Sequence, residues 1–521
     1  MTMTSHSRSN PGSDPGSDPG SDPSSDTATG PAPARRTGRW IEDWRPEEEA
    51  FWEETGRPVA RRNLLWSIFA EHLGFSVWLI WSVSSAFLVA QGFSFTPQQL
   101  FVLVALPNLV GSLLRLPYTF AVPRFGGRNW TMVSAALLLV PTLLFAWAVQ
   151  DPGTPYWAFC LIAATAGLGG GNFASSMANI NFFYPAAKKG AALGLNAAGG
   201  NLGVSLIQLF LPVIVGGAGI FGLVKASEGG IHLERAAWVY AGLAVVATFA
   251  AWRWMDNLAT ATSRPREQMQ VVRKPHTWIM AFLYIGTFGS FIGYSAAMPL
   301  LIKLNFWVPE PTPLGTGIYF AYFAFLGALV GSATRPLGGW LADRFGGARV
   351  TLAAFGALIV STLAVLWTLT RLTPNSTADP AIATDNQSWF PFFLGFFLCV
   401  FAATGIGNGS TYKMIPAIWR TEAERTSEAG TPARSAALLL ATKQASAAIG
   451  VIGAVGAIGG FLIPIAFSSP WVEDPLSATK GAFVAFTAFY AVCALVTWAV
   501  YLRRPSAAAA ARPGTMAGAG I

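Results

Sequence analysis

From residue 64 onward the chain alternates long apolar runs with short polar loops. The runs fall at 64–90, 99–121, 130–149, 156–177, 190–216, 236–254, 276–302, 316–342, 350–370, 389–411, 436–466 and 480–502. Each is long enough to cross a bilayer core of about 30 Å as a helix rising about 1.5 Å per residue. The pattern predicts an all-α membrane protein with about twelve transmembrane helices, six in each half.

The two halves share a sequence repeat. Gly111, Ser112, Arg115, Arg124, Phe125, Gly126 and Gly127 reappear as Gly331, Ser332, Arg335, Arg344, Phe345, Gly346 and Gly347, all 220 residues further on. One constant offset means duplicated halves. The expected organisation is a polar tail (1–39), an interfacial segment (40–63), a six-helix bundle (64–255), a linker (256–275), a second bundle (276–504) and a second tail (505–521). The first tail is rich in Ser, Pro, Gly and Asp and buries too little apolar surface to fold. Trp44, Phe51 and Trp52 suit a membrane interface.

A composition of 53% hydrophobic and 12% charged residues, with a mean hydropathy of +0.45, excludes an ordinary soluble domain. The net charge of +8 does not point to nucleic acid, because the basic residues lie in short loops and tails. Basic residues gather on alternate loops, among them Arg124 and Arg128, Lys188 and Lys189, Arg264 and Arg266, Arg344 and Arg349, and Arg420 and Arg425. That places both termini in the cytoplasm of a multi-pass cell (inner) membrane protein. Cys160, Cys399 and Cys493 fall inside spans without paired spacing, so no disulfide framework and no metal site is expected. No nucleophile-elbow or P-loop motif is present, so neither an enzyme nor ATP drive is expected, and no cofactor is implied.

Arg115 lies nine residues before the loop arginine Arg124, about 14 Å into the membrane, and Arg335 occupies the same place in the second half. An ionised arginine there costs at least about 2.5 kcal/mol on insertion scales, so it faces a cavity or a partner rather than lipid. No Asp or Glu occurs between residues 99 and 121, or from 316 until Asp343, which favours a soluble anion as the shared partner. The alternative is that each arginine ties off helix ends through carbonyls or an acid, as Arg124 and Arg344 are expected to do.

The run from Gly167 to Ser205 is dense in small residues and asparagines. Pairs four apart, Gly167 with Gly171 and Gly199 with Gly203, let helices approach closely, and Gly405 with Gly409 repeats the pattern. Packing does not account for Asn172, Asn179, Asn181, Asn196 and Asn201, because a buried amide needs partners or lines a polar path.

Several stretches together resemble the nitrate/nitrite porter family of the major facilitator superfamily. They are DWRPEEEAFW at Asp43, GFSVW at Gly74, LLRLPY at Leu113, NFASSMANINFFYP at Asn172, ALGLN at Ala192, TWIMAFLYIGTFGSFIG at Thr277 and GIGNGSTYKMI at Gly405. The resemblance covers nearly all of the chain after the tail. It implies a major facilitator fold of two pseudo-symmetric bundles, with nitrate and nitrite as substrates. It also implies a substrate held between Arg115 and Arg335, with Phe75, Phe173 and Phe288 as flanking rings and Asn201 and Tyr284 as hydrogen-bonding groups. Flat, diffuse anions suit a guanidinium fork better than a compact ammonium. The expected partners are the two anions and the bilayer, with no nucleic acid and no obligatory protein partner.

Moving nitrate into a negative-inside cell works against about 2.3 kcal/mol per 100 mV. Two couplings meet this: exchange for outgoing nitrite, which moves no net charge, and symport with protons. Glu71 and His72, an acid and an imidazole within the first span, are candidates for proton coupling, Glu71 lying one helical turn from Phe75. The alternative for Glu71 is an ion pair with Lys413 or Lys443. A membrane-embedded sensor that binds nitrate without moving it is a further reading, weakened by the lack of an appended signalling domain.

Overall fold

The computed structural model describes residues 35–36, 39–216, 230–261, 269–308, 316–374, 385–469 and 474–503. Most of the two expected tails, and the Arg264–Arg266 part of the linker, lie outside the described residues. Eleven helical segments among the described residues are long and apolar enough to cross a membrane. In the first half these are α1 (Glu49–Gln91), α2 (Pro97–Phe125), α3 (Gly127–Ala148), α4 (Tyr156–Phe183), α5 (Ala186–Ile214) and α6 (Leu233–Trp254). The second half begins with α7 (Pro275–Phe306). Next comes α8 (Ala324–Phe345), a helix of 22 residues diluted in apolar character by four glycines, Arg335 and Asp343. The remainder are α9 (Gly347–Leu369), α10 (Phe390–Arg425), α11 (Pro432–Phe467) and α12 (Pro475–Leu502).

Local chemistry sets the ends of the repeated unit. Helix α2 starts at a reciprocal cap: Thr96 Oγ1 accepts from the Gln99 amide at 3.2 Å, and Gln99 Oε1 accepts from the Thr96 amide at 2.9 Å. Pro97 follows, where its missing N–H is harmless. The helix stops at Gly126 with φ +86°, and α8 stops at Gly346 with φ +89°, so both copies of the FGG loop use the left-handed region that glycine enters freely.

Several boundaries differ from the hydropathy pattern, α10 among them, which runs on to Arg425 rather than ending near 411. Helix α1 begins well before residue 64, because Arg57–Trp78 is continuous helix whose first turns are polar on one side and buried at Val59, Ala60 and Asn63 on the other. Helix α8 begins at Ala324 rather than 316, after a 3₁₀ turn at Phe320–Tyr322. The aromatic groups read as interfacial also pack inward. Trp44 and Trp52 are buried, Trp44 meeting Phe183 edge-on at 5.5 Å and Trp52 meeting Tyr184 at 5.5 Å. The sequence pattern held no sign of the small sheet beside them. In it Trp40–Ile41 pairs antiparallel with Arg35–Arg36 and parallel with Asn257–Leu258. Asp256 next to that strand is fully buried and accepts from Arg39 Nε at 3.0 Å, from Asn63 Nδ2 at 3.2 Å and from Arg62. It thereby ties the end of α6 to the start of α1.

Packing repeats as the sequence does. Helix α2 packs on α4 in the first half and α8 on α10 in the second, while α2 against α11 and α5 against α8 join the halves. These last contacts carry the two repeated arginines.

Candidate anion site

Arg115 lies midway along α2 and is fully buried. Its Nε donates to the Gly170 carbonyl of α4 at 3.1 Å and its Nη1 to the Gly453 carbonyl of α11 at 3.1 Å, while Nη2 has no partner. The guanidinium lies over Phe288, Phe173 and Trp78 at 4.7, 4.9 and 5.3 Å from their ring centroids. A weakly hydrated guanidinium is suited to such stacking.

Arg335 on α8 is 6% exposed and lies over Phe173 and Tyr412, each at 5.5 Å. Neither of its Nη groups has a partner. Because both guanidinium carbons face the Phe173 ring, they are no farther apart than the sum of 4.9 and 5.5 Å. Neither arginine meets a carboxylate among the described residues. The expectation that such arginines only tie off helix ends thus fits part of Arg115 and not the fork of Arg335. Arg124 and Arg344 differ from expectation too: they lie over Phe125 at 5.4 Å and over Phe345 at 5.5 Å, where neighbouring rings on their own helices are the nearest partners.

The rings of α4 and α7 form the wall. Phe173 stacks on Phe288 at 6.0 Å, and Phe288 stacks on Tyr284 at 5.3 Å. Tyr284 and Phe288, four residues apart, lie on one helix face, and Ile285–Gly289 is a π-helical turn, a widening common at functional sites. Phe75 touches Phe173 edge-on at 6.1 Å without lying over either guanidinium. Tyr284 Oη faces Arg335 within the field of both arginines without full hydrogen-bond geometry to it, and on α5 both amide atoms of Asn201 are buried without partners. Buried polar atoms are normally hydrogen-bonded, so this concentration of free donors calls for an acceptor.

Two contacts were missed by sequence reasoning, Trp78 over Arg115 and Tyr412 over Arg335. Both residues lie inside family-like stretches, GFSVW and GIGNGSTYKMI, so a signal existed; nothing in it separated them from the many other aromatics. The asparagines divide. Asn196 Nδ2 donates to Glu71 Oε2 and to Ser176 Oγ, both at 2.7 Å, Asn181 donates to Ser446 of α11 at 3.0 Å, and Asn172 and Asn179 each keep one amide atom without a partner.

Glu71 is fully buried one turn from Phe75, and its Oε1 has no partner. Neither lysine reaches it. Lys413 instead pairs with Asp343 at 3.0 and 2.8 Å, and Lys443 is exposed, so the proposed ion pair to Glu71 is not formed. The pairing follows from position, since Lys413 and Asp343 both line the space between α10 and α8. His72 turns away, its Nδ1 bonding the Gly199 carbonyl at 3.2 Å.

A cavity of about 910 Å³ runs between α5, α8, α10 and α11, lined by the buried Arg335 and by Tyr412, and by Lys189 and the exposed Asp343 and Arg420. The glycine pairs sit where helices cross. A Cβ on Gly167 would come within 2.7 Å of the Gly111 amide nitrogen, on Gly203 within 2.3 Å of the His72 carbonyl, and on Gly405 within 2.3 Å of the Gly331 carbonyl. Gly171 and Gly199 face side chains instead, Tyr118 at 2.7 Å and Ile68 at 2.5 Å.

Residues 69–464 match the Major Facilitator Superfamily. The chain is 40% identical over 89% of its length to the nitrate/nitrite transporter NarU of Escherichia coli (strain K12), covering 96% of that protein. It is 35% identical to the probable nitrate/nitrite antiporter NarK2 of Thermus thermophilus, with 90% and 97% of the two chains covered. Among solved structures, a D-xylose–proton symporter superposes with a TM-score of 0.55 at 14% identity, over 84% of this chain and 96% of the other, which shows the shared fold.

Proposed function

The chain belongs to the major facilitator superfamily and, within it, to the nitrate/nitrite porters, and from that premise we propose that it exchanges nitrate for nitrite by alternating access around Arg115 and Arg335. The observation that carries this reading is the set of unpartnered buried donors on the two guanidinium groups that share the Phe173 ring, Arg335 Nη1 and Nη2 and Arg115 Nη2, with Tyr284 Oη facing Arg335. A planar oxyanion accepts from several donors at once, and each unmet buried group otherwise costs about 1–3 kcal/mol. The Phe173 and Phe288 centroids, 6.0 Å apart, are closer than the roughly 7 Å that two van der Waals contacts of about 3.5 Å need. The anion therefore sits beside Phe173, toward Arg335, in this conformation.

The same geometry explains exchange. Two unit charges no more than about 10 Å apart repel by at least roughly 1.7 kcal/mol at an effective dielectric of about 20, and more as closure brings them together. A bound monovalent anion offsets that repulsion by attracting both forks at once and lets the two bundles rock; the empty site, without that bridge, closes more slowly. The anion brought out is replaced by another, and no net charge moves. The cavity lining includes Lys189 and Arg420 from the basic loops, so it opens to the cytoplasm, where both termini also lie.

Counterflow in proteoliposomes tests this. Vesicles loaded with nitrite take up external labelled nitrate many times faster than vesicles loaded with chloride, and the uptake ignores an imposed membrane potential. Equal rates in both would overturn exchange.

A further inference from the structure

Exchange leaves one buried ionisable group without a task. Glu71 is fully buried, its Oε2 accepts a hydrogen bond from Asn196 at 2.7 Å with Ser176 beside it, and its Oε1 has no partner. That oxygen lies against the backbone of α5, where a Cβ on Gly200 would approach it to 2.2 Å, next to Asn201 of the anion site. On its other side is a small polar cavity lined by Ser67, Thr131, Ser134, Asn172, Ser175 and Ser176, with room for about one water molecule.

The charges that act on Glu71 come from across the anion site. They are Arg335 of α8 and Arg115 of α2. Tyr412 of α10 also lies within reach of the Glu71 charge. On α1 itself His72 is turned to the Gly199 carbonyl, and on α6 Tyr240 stands beside Ser76, more than a turn away. Helices α3, α4 and α5 present only hydroxyls, amides and backbone to it.

We propose that Glu71 is a proton-binding group linked to the anion site, its carboxylate and the bound anion competing for the field of the same two arginines. This rests on the anion site proposed above. Above the pH at which Glu71 ionises in the empty site, its carboxylate balances one of the two arginine charges. When nitrate arrives, that balance is supplied by the anion, and Glu71 accepts a proton from water on its free Oε1. The site then holds the same net charge empty or loaded. On release, the O–H bond breaks and the proton leaves to water on the same side as the anion. Nitrate and one proton cross together, with no net charge and no other bond changed. During nitrite-for-nitrate exchange the carrier reorients only with an anion aboard, so a proton that Glu71 loses as one anion leaves is regained on the same side as the other binds, and exchange moves no net proton. Net uptake into vesicles without nitrite does.

The test is proton uptake on nitrate binding by the purified full-length protein in weakly buffered detergent solution, read with a pH indicator. The wild type takes up as much as about one proton per nitrate bound, and above the pH at which the empty carrier's Glu71 ionises its nitrate affinity falls by up to about tenfold per pH unit. Glu71→Gln binds nitrate without taking up a proton and without that pH dependence, while Glu71→Asp restores both. Nitrate binding by the Gln variant is itself the check that it is folded. No proton uptake by the wild type, whatever the variants do, overturns the proposal, as does uptake by Glu71→Gln equal to the wild type. Failure of the underlying anion site reads out separately, as nitrate binding that Arg335→Lys leaves unchanged.

Discussion

Arg335→Lys is expected to raise the nitrate concentration needed for half-maximal counterflow by about 10- to 100-fold while leaving the melting temperature of the protein close to that of the wild type. The magnitude follows from replacing a fork with two free donors by a point charge, since one charge-assisted hydrogen bond contributes about 1.5–3 kcal/mol and each 1.4 kcal/mol is about tenfold. The small effect on stability follows from the same geometry, because neither Nη of Arg335 holds another part of the protein. Arg115 is the contrast. Its Nε and Nη1 hold the Gly170 and Gly453 carbonyls on two other helices, so Arg115→Lys loses stability as well as affinity. Transport kinetics together with thermal unfolding followed by tryptophan fluorescence separate the two. An Arg335→Lys protein with wild-type affinity would remove the fork from the account.

Gly409→Ala should lower exchange by tenfold or more and destabilise the protein, by about 1–3 kcal/mol if it behaves as other overpacked sites do. The added Cβ would lie 2.1 Å from the Arg335 carbonyl and 2.7 Å from the Gly339 amide nitrogen, and both are backbone atoms that no rotamer change can move. Helix α10 must therefore shift away from α8 at the residue that carries the binding fork. Gly395→Ala on the same helix is the control, because nothing lies within 4 Å of its added Cβ. Exchange rates and melting temperatures of the two variants, measured side by side, check the claim. If both behave as wild type, the close approach of α8 and α10 does not position Arg335.

Much of this was visible in the amino-acid sequence because the physics involved is local or periodic. Length and apolarity report membrane spans directly, and the 220-residue offset brings Arg115 and Arg335 to equivalent places. Glycines four apart mark helix crossings for the same reason, since only a missing side chain allows backbones so close. The boundaries of α1 and α8 were harder. The first turns of α1 carry arginines on one side, which hydropathy reads as polar loop, and the aromatic residues ahead of Ala324 read as membrane span although they form a 3₁₀ turn. What was hidden depended on which residues from distant segments meet. Lys413 could have reached Glu71 or Asp343, and only the folded arrangement of α8 and α10 selects Asp343. Trp78 and Tyr412 belong to a chain with 13% aromatic residues, where no spacing distinguishes a ring over a guanidinium from one in the core. The carbonyls of Gly170 and Gly453 are beyond sequence reasoning altogether, because every residue has one.

The central claim is that one anion is held by both arginines at once. Nitrate titration calorimetry on the wild type, Arg115→Lys, Arg335→Lys and the double variant tests it most directly, by closing a double-mutant cycle. If a single anion bridges the two groups, each single variant loses most of the binding and the double variant loses little more than either. Losses that add independently, or a single variant that binds as the wild type does, would contradict it.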